Sequence, residues 1–276
     1  MFRTRLISGI IVAVCMLGLT WLGGIYLIAA LAVASLIGTY EFYRATGILP
    51  EGKRISINTG VAYCFTIICY LFLYFSDDKL FFLIFVTVVY LLVLLALYVF
   101  GYPKYNAKDI IFTFFGYFYV GVMLSFLYLT RSLEDGIFIV WLIFTSSWLC
   151  DVFAYFTGML IGKHRLCKEL SPKKSVEGAV GGIIIPAVIA GIYGFIIREW
   201  YSPGYPVVVA CFVITAVGAA VSQLGDLSAS AIKRNYNIKD YGTLIPGHGG
   251  ILDRFDSMIF TAPIIYFTAM LFGYFR

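Results

Sequence analysis

"LFFLIFVTVVYLLVLLALYVF", residues 80–100, is a run of 21 residues with no charge, proline or glycine. At 1.5 Å per residue such a helix covers ~30 Å, the thickness of bilayer hydrocarbon. Working outward, eight more runs of similar character occur at 5–21, 23–41, 59–76, 109–130, 136–158, 177–197, 206–228 and 255–274. Only 13% of the 276 residues are charged, against ~25% in soluble domains, and mean hydropathy is +0.93. So few charges cannot cover a water-facing surface. The 21 Tyr fit a chain whose aromatics sit at headgroup level. The expected fold is all-α: a polytopic integral membrane protein of about nine transmembrane helices.

Arg3 and Arg5 precede the first run as in a secretory signal. No small-residue cleavage site follows, and Leu22-Gly23-Gly24 leads directly into the second run, so residues 1–41 read as a helical hairpin. Cytoplasmic loops collect Lys and Arg. With nine helices and a cytoplasmic N-terminus, sixteen of the twenty basic residues fall on the cytoplasmic side. Lys79, Arg131, Arg198 and Arg276 fall opposite. The expected location is the cell (inner) membrane, as a multi-pass protein. The six cysteines form no CxxC pair, and five lie in apolar runs, where Cys acts as a small hydrophobe.

Polar chemistry is uneven along the chain. Residues 1–135 read as scaffold helices, with charges at helix ends and in short loops. Residues 136–276 read as a catalytic region with cytoplasmic loops at 159–176 and 229–254. Asp151 lies within an apolar helix, where a carboxylate is a functional candidate by default. "GMLIGKH", 158–164, lacks the spacing and the Ser or Thr of a phosphate-binding P-loop. In "SPKKSVEG", 171–178, Ser171 and Ser175 are both plausible N-caps and Glu177 suits a first helical turn. Lys173 and Lys174 beside that helix N-terminus make an anion site.

Nothing breaks a helix from Pro206 to Arg234, a length of ~43 Å. It should project into the cytoplasm or tilt. Asp226, Ser230 and Lys233 share one face at i, i+4 and i+7. "IPGHGGILDRFDS", 245–257, then supplies glycine-rich backbone that can approach a ligand, through Gly249 and Gly250, with Asp253 and Asp256 at the start of the last helix. Three carboxylates with Lys233, Arg234, Lys239, His248 and Arg254 suit Mg2+ (or Mn2+) and phosphate, since Mg2+ takes one or two carboxylates plus substrate oxygens. Zinc is disfavoured: His164 and His248 are the only histidines and no thiolate cluster joins them. No nucleophile-elbow motif is present either.

From Ser230 to Asp256 the chain reads Ser, two residues, Lys-Arg, four residues, Lys-Asp, then "YGTLIPGHGGILDRFD". This resembles the signature of phosphatidate cytidylyltransferases, or CDP-diacylglycerol synthases. "DVFAYFTG", 151–158, and "SPKKSVEG" resemble upstream blocks of that family. Ala229 departs from it, since many relatives carry Glu after "GDL". The resemblance implies condensation of CTP with phosphatidic acid to CDP-diacylglycerol and pyrophosphate, the activation step of phospholipid synthesis, at the cytoplasmic face. It suggests Asp226, Asp253 and Asp256 at metal, with His248 binding or protonating pyrophosphate. Lys233, Arg234, Lys239 and Arg254 would bind phosphates with help from Lys173 and Lys174. Ser230 would also touch substrate, and Asp151, Glu177 and Asp240 are further candidates. The expected partners are CTP, phosphatidic acid and the bilayer, with no nucleic acid. Rival readings are a cytidylyltransferase for another lipid phosphate, a lipid kinase, and an anion transporter. The transporter should show related halves with paired broken helices, and these halves look unlike. The spacings Gly178/Gly182 and Gly218/Ser222 would allow a homodimer.

Overall fold

The computed structural model describes residues 2–49, 56–200, 206–247 and 249–273, without the side chains of 2–6 and 200. His248, and the side chains of Arg3, Arg5, Lys53, Arg54 and Arg276, lie outside the described residues. The chain divides into two compact units: residues 1–129 with 235–255, and residues 130–234 with 256–276. The segment 235–255, grouped by sequence with the C-terminal region, therefore folds with the N-terminal helices.

In the first unit α1 (Phe2–Leu22) and α2 (Gly24–Ala45) are separated at Gly23, where Gly23 and Gly24 have φ of 64° and 49°. Only glycine enters that region without strain. Ser8 near the start of α1 donates to the Pro246 carbonyl, and Glu41 near the end of α2 accepts from Leu252. Both far ends of the pair thus meet one short segment, as a hairpin requires. Ser56 and Asp78 cap α3 (Ile57–Phe75) and α4 (Lys79–Phe100) by accepting from Thr59 and Phe81 N–H. Asn106 starts α5 (Ala107–Gly116), which runs through a π-helical turn (Tyr117–Val122) into α6 (Met123–Arg131). Buried hydroxyls join these apolar helices: Ser35 and Tyr70 share a 2.7 Å bond, and Tyr43 donates to the Thr113 carbonyl. Without water, such groups must find partners in the protein.

The second unit begins with α7 (Gly136–Phe144), which continues through another π turn (Thr145–Leu149) into α8 (Cys150–Ile161). β1 (Arg165–Cys167) and β2 (Ser171–Ser175) form an antiparallel pair. This hairpin and an isolated bridge between Ile245 and Gly249 depart from an all-α fold among the described residues. Between α8 and α9 (Val176–Ile197) the chain reverses within 14 residues, and its backbone groups pair with each other across the turn. Ser175 caps α9, its side chain accepting from Gly178 N–H, so Ser175 rather than Ser171 plays that part. The helix read from Pro206 onward appears as α10 (Val207–Asn235), unbroken for 29 residues. The last helix is α11 (Leu252–Leu271).

Among the described residues seven helices are long and apolar enough to cross a membrane. The chain is a helical, multi-span membrane protein. The small-residue spacings serve packing within the chain. A Cβ on Gly182 would lie 2.8 Å from Ala154 Cβ and 2.9 Å from the Cys150 carbonyl. One on Gly218 would lie 2.7 Å from Ser146 Oγ. Helices α8 and α9 approach closely because Gly178 and Gly182 carry no side chain.

Candidate active site

In the second unit the hairpin meets α10, and α10 meets α11. Lys174 on β2 donates to the Asp226 carboxylate on α10, 52 residues away in sequence. On α10, seven residues after Asp226, Lys233 faces Asp256 of α11 at 3.9 Å. Gly225 permits this: a Cβ there would sit 3.0 Å from the Asp256 carbonyl and 3.0 Å from Phe260. A larger residue would push α10 away from α11 and part the two carboxylates. Asp256 feels the negative charges of Asp226 and Asp151 and the positive charge of Lys233. It is buried, and Ser257 N–H donates to its other oxygen at 2.8 Å.

Beside this cluster lies a cavity of about 400 Å3, lined among others by Asp151, Tyr155, Arg165, Lys173, Lys174 and Gln223. Its floor is small-residue surface, Ala154, Gly158, Gly178 and Ala179. Gln223 is held by donating to the Ala179 carbonyl at 2.9 Å. Arg165 reaches the Lys173 carbonyl at 3.5 Å, which ties the hairpin's basic side chains to one edge of the cavity. The arrangement suits a polyanion with an uncharged neighbour: cations on one wall, small apolar groups on another. Lys173 is exposed, whereas Lys174 is half-buried in its ion pair. The two lysines are therefore not equivalent. Glu177 has a different task. It accepts from Lys163 and His164 N–H at 3.0 and 3.2 Å, and its carboxylate meets His164 Nδ1 at 2.6 Å. This clasps the end of α8 to the start of α9. Ser230 is half-buried, and Arg234 is exposed, near the end of α10.

The 235–255 segment is built around two carboxylates in the first unit. Asp253 Oδ2 accepts from Tyr241 N–H at 2.8 Å and Gly250 N–H at 3.0 Å. Glu41 accepts from Ile251 at 3.0 Å and Leu252 at 2.8 Å. A Cβ on Gly242 or Gly250 would run into the Glu41 carboxylate. Gly250 is buried, and its N–H serves Asp253 rather than a ligand. Gly247 and Gly249, with φ of 78° and 83°, close a tight turn in which Ile245 N–H donates to the Gly249 carbonyl. Lys239 and Asp240 are exposed. Arg254 is half-buried and its Nε has no partner among the described residues.

Sequence reading missed Glu41 and Gln223. Glu41 had a signal: a carboxylate inside a run of apolar residues, 41 in "TYEFYR". It was absorbed into the helix-end charges of the N-terminal region.

Among the described residues no three His, Cys, Asp or Glu side chains gather closely enough to hold a metal ion by themselves. Asp226 and Asp256, on adjacent helices, still fit a hard cation that takes one or two carboxylates and completes its shell with phosphate and water. Each already carries a lysine that can give way to such a cation.

The relatives agree in kind. The chain matches the cytidylyltransferase family over residues 3–272. It is 38% identical over 177 residues to a phosphatidate cytidylyltransferase of Staphylococcus saprophyticus, covering 63% of this chain and 64% of that one. It is 39% identical over 156 residues to one of Bacillus subtilis, covering 56% of each. The matched stretches thus span somewhat under two thirds of these relatives. With the family match running across nearly its whole length, this chain belongs to the cytidylyltransferase family.

Proposed function

We propose that the protein transfers the cytidylyl group of CTP to phosphatidic acid, giving CDP-diacylglycerol and pyrophosphate. The observation that carries this is the meeting of Lys174 with Asp226 beside a cavity with a cationic wall. The naming of the relatives supports the choice of substrates.

A phosphate monoester has its second pKa near ~6 and arrives largely ionised. One of its oxygens attacks the α-phosphorus of CTP. The bond from that phosphorus to the bridging oxygen breaks, and pyrophosphate leaves in line with the electron pair. No strong base is needed; alignment and charge neutralisation suffice. Lys174 releases Asp226 and takes a phosphate oxygen, with Lys173 and Arg165 drawing the second polyanion to the cavity edge. Lys233 and Arg234 neutralise negative charge along α10. Lys239 and Arg254 offer cations to the departing pyrophosphate, as does His248. Asp226 and Asp256 would hold Mg2+ or Mn2+; the ion would supply charge neutralisation at the phosphates. Asp253 shapes the loop through the Tyr241 and Gly250 N–H groups. Ser230 is a substrate contact, and Asp151 orients groups in the cavity. No role is assigned to a second copy of the chain.

Purified protein given α-labelled CTP and a panel of lipid phosphates should label phosphatidic acid most efficiently. Preferential labelling of another lipid phosphate would assign the chain to that substrate instead.

The proposed topology is nine spans with a cytoplasmic N-terminus and the site at the cytoplasmic face of the cell membrane. Single cysteines introduced at 165–175 and 235–245, in a background lacking Cys167, are expected to react with impermeant thiol reagents only in inverted vesicles. Labelling of either segment from outside intact cells would refute this orientation.

A further inference from the structure

We infer that Glu41, on a helix of the apparent scaffold, is a positioning residue for the reaction, acting through the loop 241–254. The inference rests on the proposed function and adds a residue that its mechanism does not use. A helix leaves its first N–H groups without intrahelical partners, and a negative charge there is favourable. In α11 those partners come from far along the chain. Glu41 takes Ile251 N–H with Oε1 and Leu252 N–H with Oε2, 210 and 211 residues distant. Glu41 is 5% exposed. Gly242 and Gly250 press hydrogen-only faces against it, so either a Cβ or a longer side chain would displace it. Asp253 closes the same loop through Tyr241 and Gly250 N–H.

Two consequences follow. The N–H groups of Gly250, Ile251 and Leu252 are all engaged by carboxylates, so the start of α11 is not the phosphate site that a bare helix N-terminus would offer. Its purpose is alignment: Arg254, two residues beyond Leu252, projects from a first turn whose position Glu41 sets. A buried bidentate carboxylate is stiff, because neither oxygen can move without orphaning a donor. Misplacing a reacting group by ~1 Å costs about 10²-fold in rate.

Glu41→Gln replaces one acceptor oxygen with an amide donor that faces an N–H donor. Hydrogen exchange followed by mass spectrometry should show faster exchange confined to peptides covering 241–254. In the same preparation kcat should fall by ~10–100-fold while KM for CTP changes less than about threefold. Glu41→Asp, which keeps the charge but is shorter by one methylene, should lie between the two; it carries the test if the Gln variant does not accumulate folded. A second arm reads the packing: Gly250→Ala should be much less harmful in a Glu41→Ala background than in the wild-type chain. Wild-type exchange at 241–254 together with wild-type kcat in folded Glu41→Asp and Glu41→Gln would overturn the inference, as would additive effects of the Gly250 and Glu41 changes. Absence of cytidylyl transfer by the wild-type chain would instead sink the proposed function, and the exchange and packing arms would still decide whether Glu41 holds the loop.

Discussion

Replacing Asp226 by Asn is expected to remove nearly all activity, a loss of about 10²–10³-fold or more in kcat. Asp226 links the hairpin, through Lys174, to the α10 face that also carries Lys233. Asn keeps the size and one acceptor oxygen but not the charge. Two effects then add: Lys174 loses its counter-charge, and a cation loses a hard ligand. The second effect is saturable and the first is not. High Mg2+ or Mn2+ should therefore recover part of the activity of Asp226→Asn. The same holds for Asp256→Asn, because Gly225 brings the two carboxylates to adjacent turns. Asp240→Asn serves as a control, since Asp240 is exposed on the loop beside Gly249. It should lose less and show little metal rescue. Full activity and unchanged metal dependence in Asp226→Asn would contradict the assignment.

The second large effect divides two neighbouring lysines. Lys174→Ala should lower kcat/KM by ~10²-fold or more, because it removes a cation from the reacting phosphates and strands the Asp226 charge. Lys173→Ala should cost less than ~5-fold, because an exposed cation acts through screened, long-range attraction. Its loss should fade as salt is raised, while that of Lys174→Ala should persist. Equal losses at Lys173 and Lys174, with the same salt dependence, would mean that both act only through net positive charge.

The helical spans were legible because the bilayer imposes a length and a composition that sequence displays directly. The run 80–100 needs no partner to be read, and α10 was legible because nothing between Val207 and Asn235 interrupts it. Pairings across the fold are of another kind. Asp226 and Lys174 each stood out as unusual, but their ion pair depends on how a hairpin folds between α8 and α9. That hairpin carries no strand-like alternation: "KHRLCKELSPKKS" reads as a charged loop. Glu41 stands out as a carboxylate in an apolar run, but its role was illegible for a related reason. Its meaning resides in Ile251 and Leu252, more than 200 residues away, and in two glycines whose missing side chains make room for it. Gly249 and Gly250 looked like ligand-approach glycines, and Gly250 proves to be packed against Glu41. The domain boundary moved for the same cause, since the Glu41 contacts tie 235–255 to the N-terminal helices.

The central claim is that a lipid phosphate attacks the α-phosphorus of CTP. Position-specific labelling tests it most directly. Purified protein is incubated with phosphatidic acid, Mg2+ and CTP labelled either at the α- or at the γ-phosphate, and the lipid and aqueous phases are counted. The account predicts that the α-label enters the lipid in a one-to-one ratio with pyrophosphate released, and that the γ-label appears only in pyrophosphate. Transfer of the γ-label to lipid, with CDP left in the aqueous phase, would contradict it and make the protein a lipid kinase.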